Sequence, residues 1–162
     1  VTTVEDGTQN VAHLNDGAGN FTAGSRNFGT GTDNTTSITL GDVDNDGDLD
    51  LLISNSGQPP ILLRNDGGNL QNWLEVFLRG PAVGATLTIR YGDQTQIRQV
   101  QSGGSYCSVN DERIHFGLGQ TQVVDQIEIQ WGRDRTKQLN HISANQQLTI
   151  ELSPTPKGQS SY

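Results

Sequence analysis

Five aspartates recur at every second position around one glycine, in the run Asp42-Val43-Asp44-Asn45-Asp46-Gly47-Asp48-Leu49-Asp50. Five like charges so close together repel one another, so the run is unsuited to an ordinary strand or helical turn unless a cation gathers the carboxylates. The spacing therefore predicts a cation-binding loop. The alternative interpretation is a solvated acidic turn that holds no metal.

Calcium is the cation that this spacing favours. It takes about six to eight oxygen ligands at about 2.3–2.6 Å, and carboxylates at loop positions 1, 3 and 5 can surround one such ion. Gly47, at position 6, permits the sharp turn that redirects the chain. Magnesium is the weaker choice because it prefers a small octahedron that keeps several waters. The predicted calcium ligands are Asp42, Asp44, Asp46, Asp48 through its backbone carbonyl, and Asp50.

The segments that flank the loop distinguish it from an EF-hand. An EF-hand needs a glutamate at position 12, where this chain has Ile53. Residues 37–40 and 49–53 are rich in β-branched and aliphatic residues, which favour strands over helices. The sequence therefore predicts a strand–loop–strand calcium site.

An internal repeat surrounds the loop. Residues 10–21 are echoed about fifty positions later by residues 60–70, and each copy is a short strand followed by Asn-Asp-Gly, a strong hairpin signal. In these turns Asp16 and Asp66 are either type I′ turn residues or a second, weaker cation site. With its DxDxDGxxD loop, the segment 10–70 resembles FG-GAP/VCBS-type repeats, which implies a propeller blade built from a strand, a calcium loop and further strands.

The second half of the chain has the period-two alternation of half-buried strands. Gly92-Asp93 joins two of these segments and predicts a hairpin. The alternating segments are 73–80, 85–91, 94–100, 126–131 and 146–152. This half resembles the ASPIC/UnbV domain, on the motifs Asn72-Trp73-Leu74, Gly84-Ala85, Gly103-Gly104-Ser105-Tyr106 with Asn110-Asp111, His115-Phe116-Gly117-Leu118-Gly119, Ile127-Glu128-Ile129-Gln130-Trp131 and Asn145-Gln146-Gln147-Leu148-Thr149-Ile150.

These patterns together predict an all-β fold. Residues 1–70 form a propeller-blade-like sheet with the calcium loop, residues 71–152 form a small β-sandwich or barrel domain, and residues 153–162 form a flexible tail. ASPIC/UnbV domains commonly follow VCBS-type repeats in secreted proteins, so the resemblance implies a secreted, extracellular protein.

Charge and hydropathy exclude some partners. The net charge is -8 and the ten basic residues are not clustered, which argues against binding to nucleic acid. No apolar run approaches the ~20 residues of a membrane span. The single cysteine, Cys107, rules out a disulfide framework within the chain, so stability has to come from sheet packing and metal.

Catalysis has little support in the sequence. The three histidines form no HExxH pair, and there is no Gly-x-Ser-x-Gly elbow or P-loop. Cys107 and His115 can be drawn as a nucleophile and base, but a buried thiol and a packed, hydrogen-bonded strand histidine fit the surrounding pattern better. We therefore expect that the protein is not an enzyme.

The repeat count leads to the main functional hypothesis. One blade and a fragment cannot close a propeller, which typically needs four to eight blades, so strand edges are left exposed. We expect these edges to be completed by the second domain and by other copies of the chain, which would give a calcium-stabilised polymer or filament. The alternative is a monomeric adhesion or carbohydrate-binding module with a cell-surface or glycan ligand, for which Trp73 and Trp131 have to be exposed.

Overall fold

A computed structural model describes residues 2–3, 10–16, 18–21, 26–28, 33–67, 70–103 and 111–153, with the backbone alone for 2–3. Thirteen β-strands and no α-helix occur within these ranges. The all-β fold class predicted from the sequence is therefore confirmed. The same ranges contain no helix of the length and apolar character that a membrane crossing requires.

The chain forms two compact units, and each unit is made of segments that are not contiguous in the sequence. The first comprises the described residues within 1–41, 50–65 and 103–110, and the second comprises those within 42–49, 66–102 and 111–162. The aspartate-rich loop, Asp42–Leu49, is thus grouped with the second unit, although the strands on both sides of it belong to the first. The predicted division at residue 70 stays a prediction.

The first unit contains two small sheets. One has the order β1-β2-β3, and the other, which flanks the loop, has the order β4-β5-β6. The strands are β1 (Thr2–Thr3), β2 (Asn10–Ala12), β3 (Arg26–Phe28), β4 (Thr35–Gly41), β5 (Asp50–Asn55) and β6 (Ile61–Leu63). All pairings in both sheets are antiparallel. In the second sheet Ile53 is fully buried, whereas Leu52 on the opposite face is 41% exposed.

The second unit is a β-sandwich. Its sheets have the orders β10-β7-β13 and β12-β11-β8-β9, and β13 pairs with β7 in the parallel direction. The strands are β7 (Asn72–Arg79), β8 (Thr86–Tyr91), β9 (Gln94–Gln99), β10 (Ile114–Gly119), β11 (Val123–Trp131), β12 (Arg135–Ser143) and β13 (Gln146–Glu151). The structure has the sandwich form of the prediction, and the sheets of the described residues do not close into a barrel.

The core of the sandwich lies between its two sheets. It consists of the inward-facing apolar residues of the alternating segments: Leu74, Val76, Leu78, Ala85, Leu87, Ile89, Tyr91, Phe116, Leu118, Val124, Ile127, Ile129, Ile150 and Leu152. Because side chains alternate between the faces of a strand, Trp73, Glu75 and Phe77 of β7 point away from this core. On that outer face Trp73 lies against Gly47 of the aspartate-rich loop, and Glu75 pairs with Arg113.

Turn predictions had mixed outcomes. Gly92-Asp93 forms the predicted hairpin between β8 and β9, closed by the pair Tyr91 and Gln94. The hairpin predicted at Asn65-Asp66-Gly67 is wrong, because β6 and β7 belong to different sheets and neither Asp66 nor Gly67 has the positive φ of a type I′ turn. Cys107 and the tail beyond Ser153 lie outside the described residues.

Candidate metal site

The hairpin of β4 and β5 fixes where the aspartate-rich loop begins and ends. Gly41 and Asp50 are partners in the β-ladder, so the chain leaves and re-enters the sheet at adjacent positions. Within the loop, Asn45 and Gly47 have φ angles of 61° and 95°. Glycine adopts this left-handed region without strain and asparagine tolerates it, so the sequence permits the tight reversal between the flanking strands.

Hydrogen bonds from the backbone order the loop carboxylates. Asp42 accepts the N–H of Asp46 on Oδ1 at 3.2 Å and that of Gly47 on Oδ2 at 3.1 Å. Asp44 also accepts from the Asp46 N–H, at 3.3 Å, and Asp46 accepts from the Asp48 N–H at 2.9 Å. A carboxylate offers about four lone-pair sites, so these contacts leave acceptor capacity for a cation.

Three carboxylates of the second unit converge. Oxygen atoms of Asp44, Asp46 and Asp66 all lie within 4.8 Å of one another. Two ligands on opposite sides of one calcium are about 5 Å apart, because each lies about 2.5 Å from the ion. The three oxygens therefore fit the coordination sphere of a single calcium. The sequence assigned Asp66 only to a turn or to a second, weaker site.

The remaining predicted ligands are buried. Asp42 is 3% exposed and Asp48 is 5% exposed. Asp50, in the first unit, is 1% exposed, and it accepts the Asn65 N–H at 2.9 Å on Oδ1. Burying a carboxylate is costly unless hydrogen bonds or a cation compensate its charge. Coordination by Asp42, Asp50 and the carbonyl of Asp48 remains a prediction.

The outer face of the sandwich supports the turn of the loop. A Cβ built on Gly47 would lie 2.0 Å from Trp73 Nε1, so the glycine backbone lies directly against the indole. His115 Nε2 donates a hydrogen bond to the Gly47 carbonyl at 2.9 Å. The His115 and Trp73 rings stack, with centroids 6.4 Å apart and planes inclined by 15°. Two side chains from neighbouring strands, β7 and β10, thus hold one residue of the loop.

Arg113 supports the start of the loop. Its guanidinium donates to the Asp42 carbonyl and, at 3.1 Å, to Asn45 Oδ1. It also pairs with Asp111 and, at 3.3 Å, with the buried carboxylate of Glu75. Gln147 donates a further hydrogen bond to Glu75, at 3.0 Å. One side chain therefore joins two loop acceptors to two carboxylates of the sandwich unit.

This arrangement shifts two pKa values. Burial raises the pKa of Asp111, but the hydrogen bonds and charge of Arg113 outweigh it, so that the pKa lies below its ordinary value. The hydrogen bond to Asp111 in turn raises the pKa of Arg113. The arginine therefore remains charged, and its partner ionises readily.

Asp16, in the first copy of the repeat, occupies a different environment. Its Oδ1 accepts the N–H groups of Ala18 at 2.8 Å and Asn20 at 3.2 Å, and its Oδ2 accepts the Asn20 side-chain amide at 2.8 Å. The last of these bonds is the largest cause of a lowered pKa at Asp16. The carboxylate thus closes its own turn, whereas Asp66 in the second copy joins the loop carboxylates.

The groups considered for catalysis and sugar binding have structural contacts. His115 lies in a strand and is hydrogen-bonded, as predicted, whereas its hypothetical partner Cys107 lies outside the described residues. Both tryptophan rings are partly buried: Trp131 packs against the sandwich core, and Trp73 against Gly47 and His115. A pocket of about 280 Å³ opens beside Arg113, lined by Phe77, Asp111, Glu112, Arg113 and Gln147.

Two segments of the chain each match a known protein family. Residues 1–53 match the FG-GAP-like repeat family, and residues 79–157 match the family described as ASPIC and UnbV. The two matches occur in the order that the sequence motifs predicted.

Two curated relatives are similar over more than half of the chain. Cartilage acidic protein 1 of Homo sapiens is 29% identical over 122 residues, which make up 68% of this chain and 18% of that protein. Cartilage acidic protein 1 of Mus musculus is 32% identical over 101 residues, or 56% of this chain and 15% of that protein. The chain thus spans less than a fifth of the length of either relative.

Proposed function

Because the chain joins an FG-GAP-like repeat to an ASPIC and UnbV domain, we propose that it is an extracellular structural protein that binds calcium in the loop Asp42–Leu49. The observation that carries the proposal is the convergence of Asp44, Asp46 and Asp66 oxygens within 4.8 Å. Calcium bound there would compensate the negative charges of the carboxylates and connect the loop to the segment at Asp66 by common coordination.

Several features favour calcium over other cations. All the acidic side chains in and beside the loop are aspartates, which provide hard oxygen ligands, and the cluster contains no cysteine or histidine. Such a donor set suits magnesium, calcium or manganese rather than zinc or copper. Within this set of cations the loop spacing favours calcium, because magnesium prefers a small octahedron that keeps several waters.

An extracellular location agrees with this chemistry. Both curated relatives bear a name that refers to cartilage and to acidic character, and this chain carries a net charge of -8. Calcium modules outside cells work at dissociation constants of about 10⁻⁴–10⁻³ M. A solvent-facing residue such as Asp44 in the ligand group is compatible with an affinity in that range.

Calorimetric titration of calcium into the metal-free protein tests the proposal. We expect wild type to bind calcium and Asp46→Asn to lose most of the affinity, because the substitution replaces a carboxylate at the centre of the loop. Asp93→Asn is the matched control, since it removes the same charge from the exposed β8–β9 turn. Absence of binding by wild type, or equal binding by both variants, would refute the calcium assignment.

Self-association is a second candidate function. Leu52 and Leu62 are direct partners in the β5–β6 ladder and are 41% and 53% exposed. β6 lies at one end of its sheet and contains neither lysine nor proline within Ile61–Leu63, the residues that usually block an edge strand. An apolar pair beside the end strand of the described sheet favours strand addition by another copy and, if the contacts do not close, a polymer.

The alternative of a monomeric adhesion or glycan-binding module has weaker support. It depends on two exposed tryptophan faces, whereas Trp73 is stacked on His115 and Trp131 donates from Nε1 to the Ser153 carbonyl at 3.4 Å. That the protein is not an enzyme also remains a prediction from the sequence.

A further inference from the structure

The outer face of β7 carries a charge that its position does not explain. Core residues Leu74 and Val76 alternate with Glu75, which therefore points away from the sandwich core. β7 pairs with β10 in the antiparallel direction, and the outer face of a sandwich sheet is usually solvated. Glu75 is nevertheless only 1% exposed. A carboxylate so placed has to be covered by something other than the core and has to be paired.

Arg113 provides the pairing and also reaches the loop. Its Nη1 lies 3.3 Å from Glu75 Oε2 and 3.1 Å from Asn45 Oδ1, and its Nη2 donates to the carbonyl of Asp42. The arginine side chain is itself only 19% exposed. Its planar, forked guanidinium can serve these acceptors simultaneously, which a single ammonium group cannot do with the same geometry.

The hydrogen bond from Arg113 to the Asp42 carbonyl shows how the arginine can position the loop. Fixing this carbonyl orients the backbone of the first loop residue, whose carboxylate accepts the N–H groups of Asp46 and Gly47. Asp46 in turn belongs to the converging carboxylate group. A displacement at Asp42 is therefore transmitted, through its hydrogen bond with the Asp46 N–H, to a residue that would hold the cation.

We infer that Arg113 is a positioning residue that couples the aspartate-rich loop to the sheet β10-β7-β13, so that the order of each depends on the other. In the absence of metal, Arg113 keeps the loop in its folded arrangement. For calcium the inference rests on the proposed function: a loop held in advance loses less conformational freedom on binding and binds more tightly. Cation binding should then also protect β10, on which His115 lies beside Arg113.

The test compares variants that never leave the buried carboxylate of Glu75 without Arg113. Arg113→Gln alone would leave Glu75 buried without its partner, so the informative variant is the double substitution Glu75→Gln/Arg113→Gln, with Glu75→Gln as its reference. Arg79→Gln is the matched control. Arg79 lies on β7, as Glu75 does, and it pairs with Glu151 in an exposed position at the end of the strand. Circular dichroism first establishes that each variant folds.

The first arm measures amide hydrogen exchange without metal. We expect residues 42–49 to exchange at least tenfold faster in the double variant than in Glu75→Gln, while Arg79→Gln matches wild type. The second arm measures calcium binding by calorimetry. Residues behind metal ligands typically change metal affinity by about 10–100-fold, so we expect the double variant to bind about tenfold more weakly than Glu75→Gln, and calcium no longer to slow exchange in β10.

The two arms separate this inference from the proposed function. Equal loop exchange in the double variant and in Glu75→Gln would overturn the role of Arg113, whether or not calcium binds. Equal calcium affinity in those two variants would overturn it as well. If wild type binds no calcium, the proposed function fails, and the metal-free exchange still decides whether Arg113 couples loop and sheet.

Discussion

Gly47 lies against the indole of Trp73 so closely that a Cβ at position 47 would be 2.0 Å from the indole nitrogen. The residue is constrained twice, because it also has a φ of 95°. From the sequence, the role predicted for Gly47 was the turn alone. Its contact with Trp73 shows that the loop is shaped to fit the outer face of the sandwich as well as to gather carboxylates.

Gly47→Ala should destabilise the protein more than a Gly→Ala substitution whose only cost is a left-handed backbone conformation. The left-handed conformation costs a non-glycine residue about 1–2 kcal/mol, and overpacking against the indole adds about 1–3 kcal/mol. Gly84→Ala is the control, because Gly84 has a φ of 83° and a methyl group added there would meet nothing within 4 Å. Urea unfolding measures both, and equal losses would contradict the packing role.

Asp66→Asn should weaken calcium binding although Asp66 lies eighteen residues beyond Asp48, the last aspartate of the loop. Its carboxylate shares the 4.8 Å group with Asp44 and Asp46, so the amide would remove one anionic ligand. Asp16→Asn is the matched control, since Asp16 occupies the equivalent turn in the repeat and bonds only within that turn in the contacts described. Calorimetry that gave both variants the same affinity would exclude Asp66 from the site.

Calcium should stabilise the folded protein, because the proposed site exists in the folded loop and not in the unfolded chain. At a free concentration 100 times the dissociation constant, the expected gain is about 2.7 kcal/mol. Denaturant unfolding with calcium and with a chelator measures this gain in wild type and in Asp46→Asn. A gain of similar size in the variant would argue that calcium acts elsewhere.

Asp111 should make the protein sensitive to acid. Its folded-state pKa is lower than in the unfolded chain, so its interaction with Arg113 contributes stability above the ordinary aspartate pKa and loses it as the pH falls through the folded value. In a chelator, the melting temperature of wild type should therefore fall more steeply between about pH 5 and about pH 2 than that of Asp111→Asn. Parallel curves for the two proteins would contradict the pairing.

Leu62→Lys should abolish self-association if copies add to the edge at β6. A lysine on an edge strand discourages pairing with another chain, and position 62 is more than half exposed, so the fold should tolerate it. Val83→Lys, at a turn position that is 69% exposed, is the control. Light scattering should show particles for wild type and the control and a monomer for Leu62→Lys; a monomeric wild type would end the polymer hypothesis.

Local patterns were sufficient to predict much of the fold. The alternation in 85–91 and 94–100 and the two-residue Gly92-Asp93 connection predicted a hairpin that the structure contains. β12 was not predicted, because Arg135–Ser143, the end strand of its sheet, is largely polar and has few apolar residues to set a period. The hairpin expected at Asp66 failed because the chain leaves one sheet there and enters another.

The supports of the candidate site could not be predicted in the same way. Arg113 and His115 contact loop residues that lie 68 or more positions earlier in the sequence. Nothing in the local sequence of residues 113–119 distinguishes these two side chains from solvated ones. The one signal available in the sequence was Glu75, a carboxylate between apolar residues of a strand, which indicates a buried charge. The identity of its partner, Arg113, depends on the tertiary fold.

Terbium luminescence tests the central claim most directly. Tb³⁺ replaces calcium at oxygen sites and emits when a nearby indole transfers energy to it, and this transfer falls steeply with distance. Because Trp73 touches the loop at Gly47, we predict emission in wild type and in Trp131→Phe that calcium quenches by competition, and loss of emission in Trp73→Phe and in Asp46→Asn. No sensitised emission from wild type, or emission that depends on Trp131 instead of Trp73, would contradict a cation site in this loop.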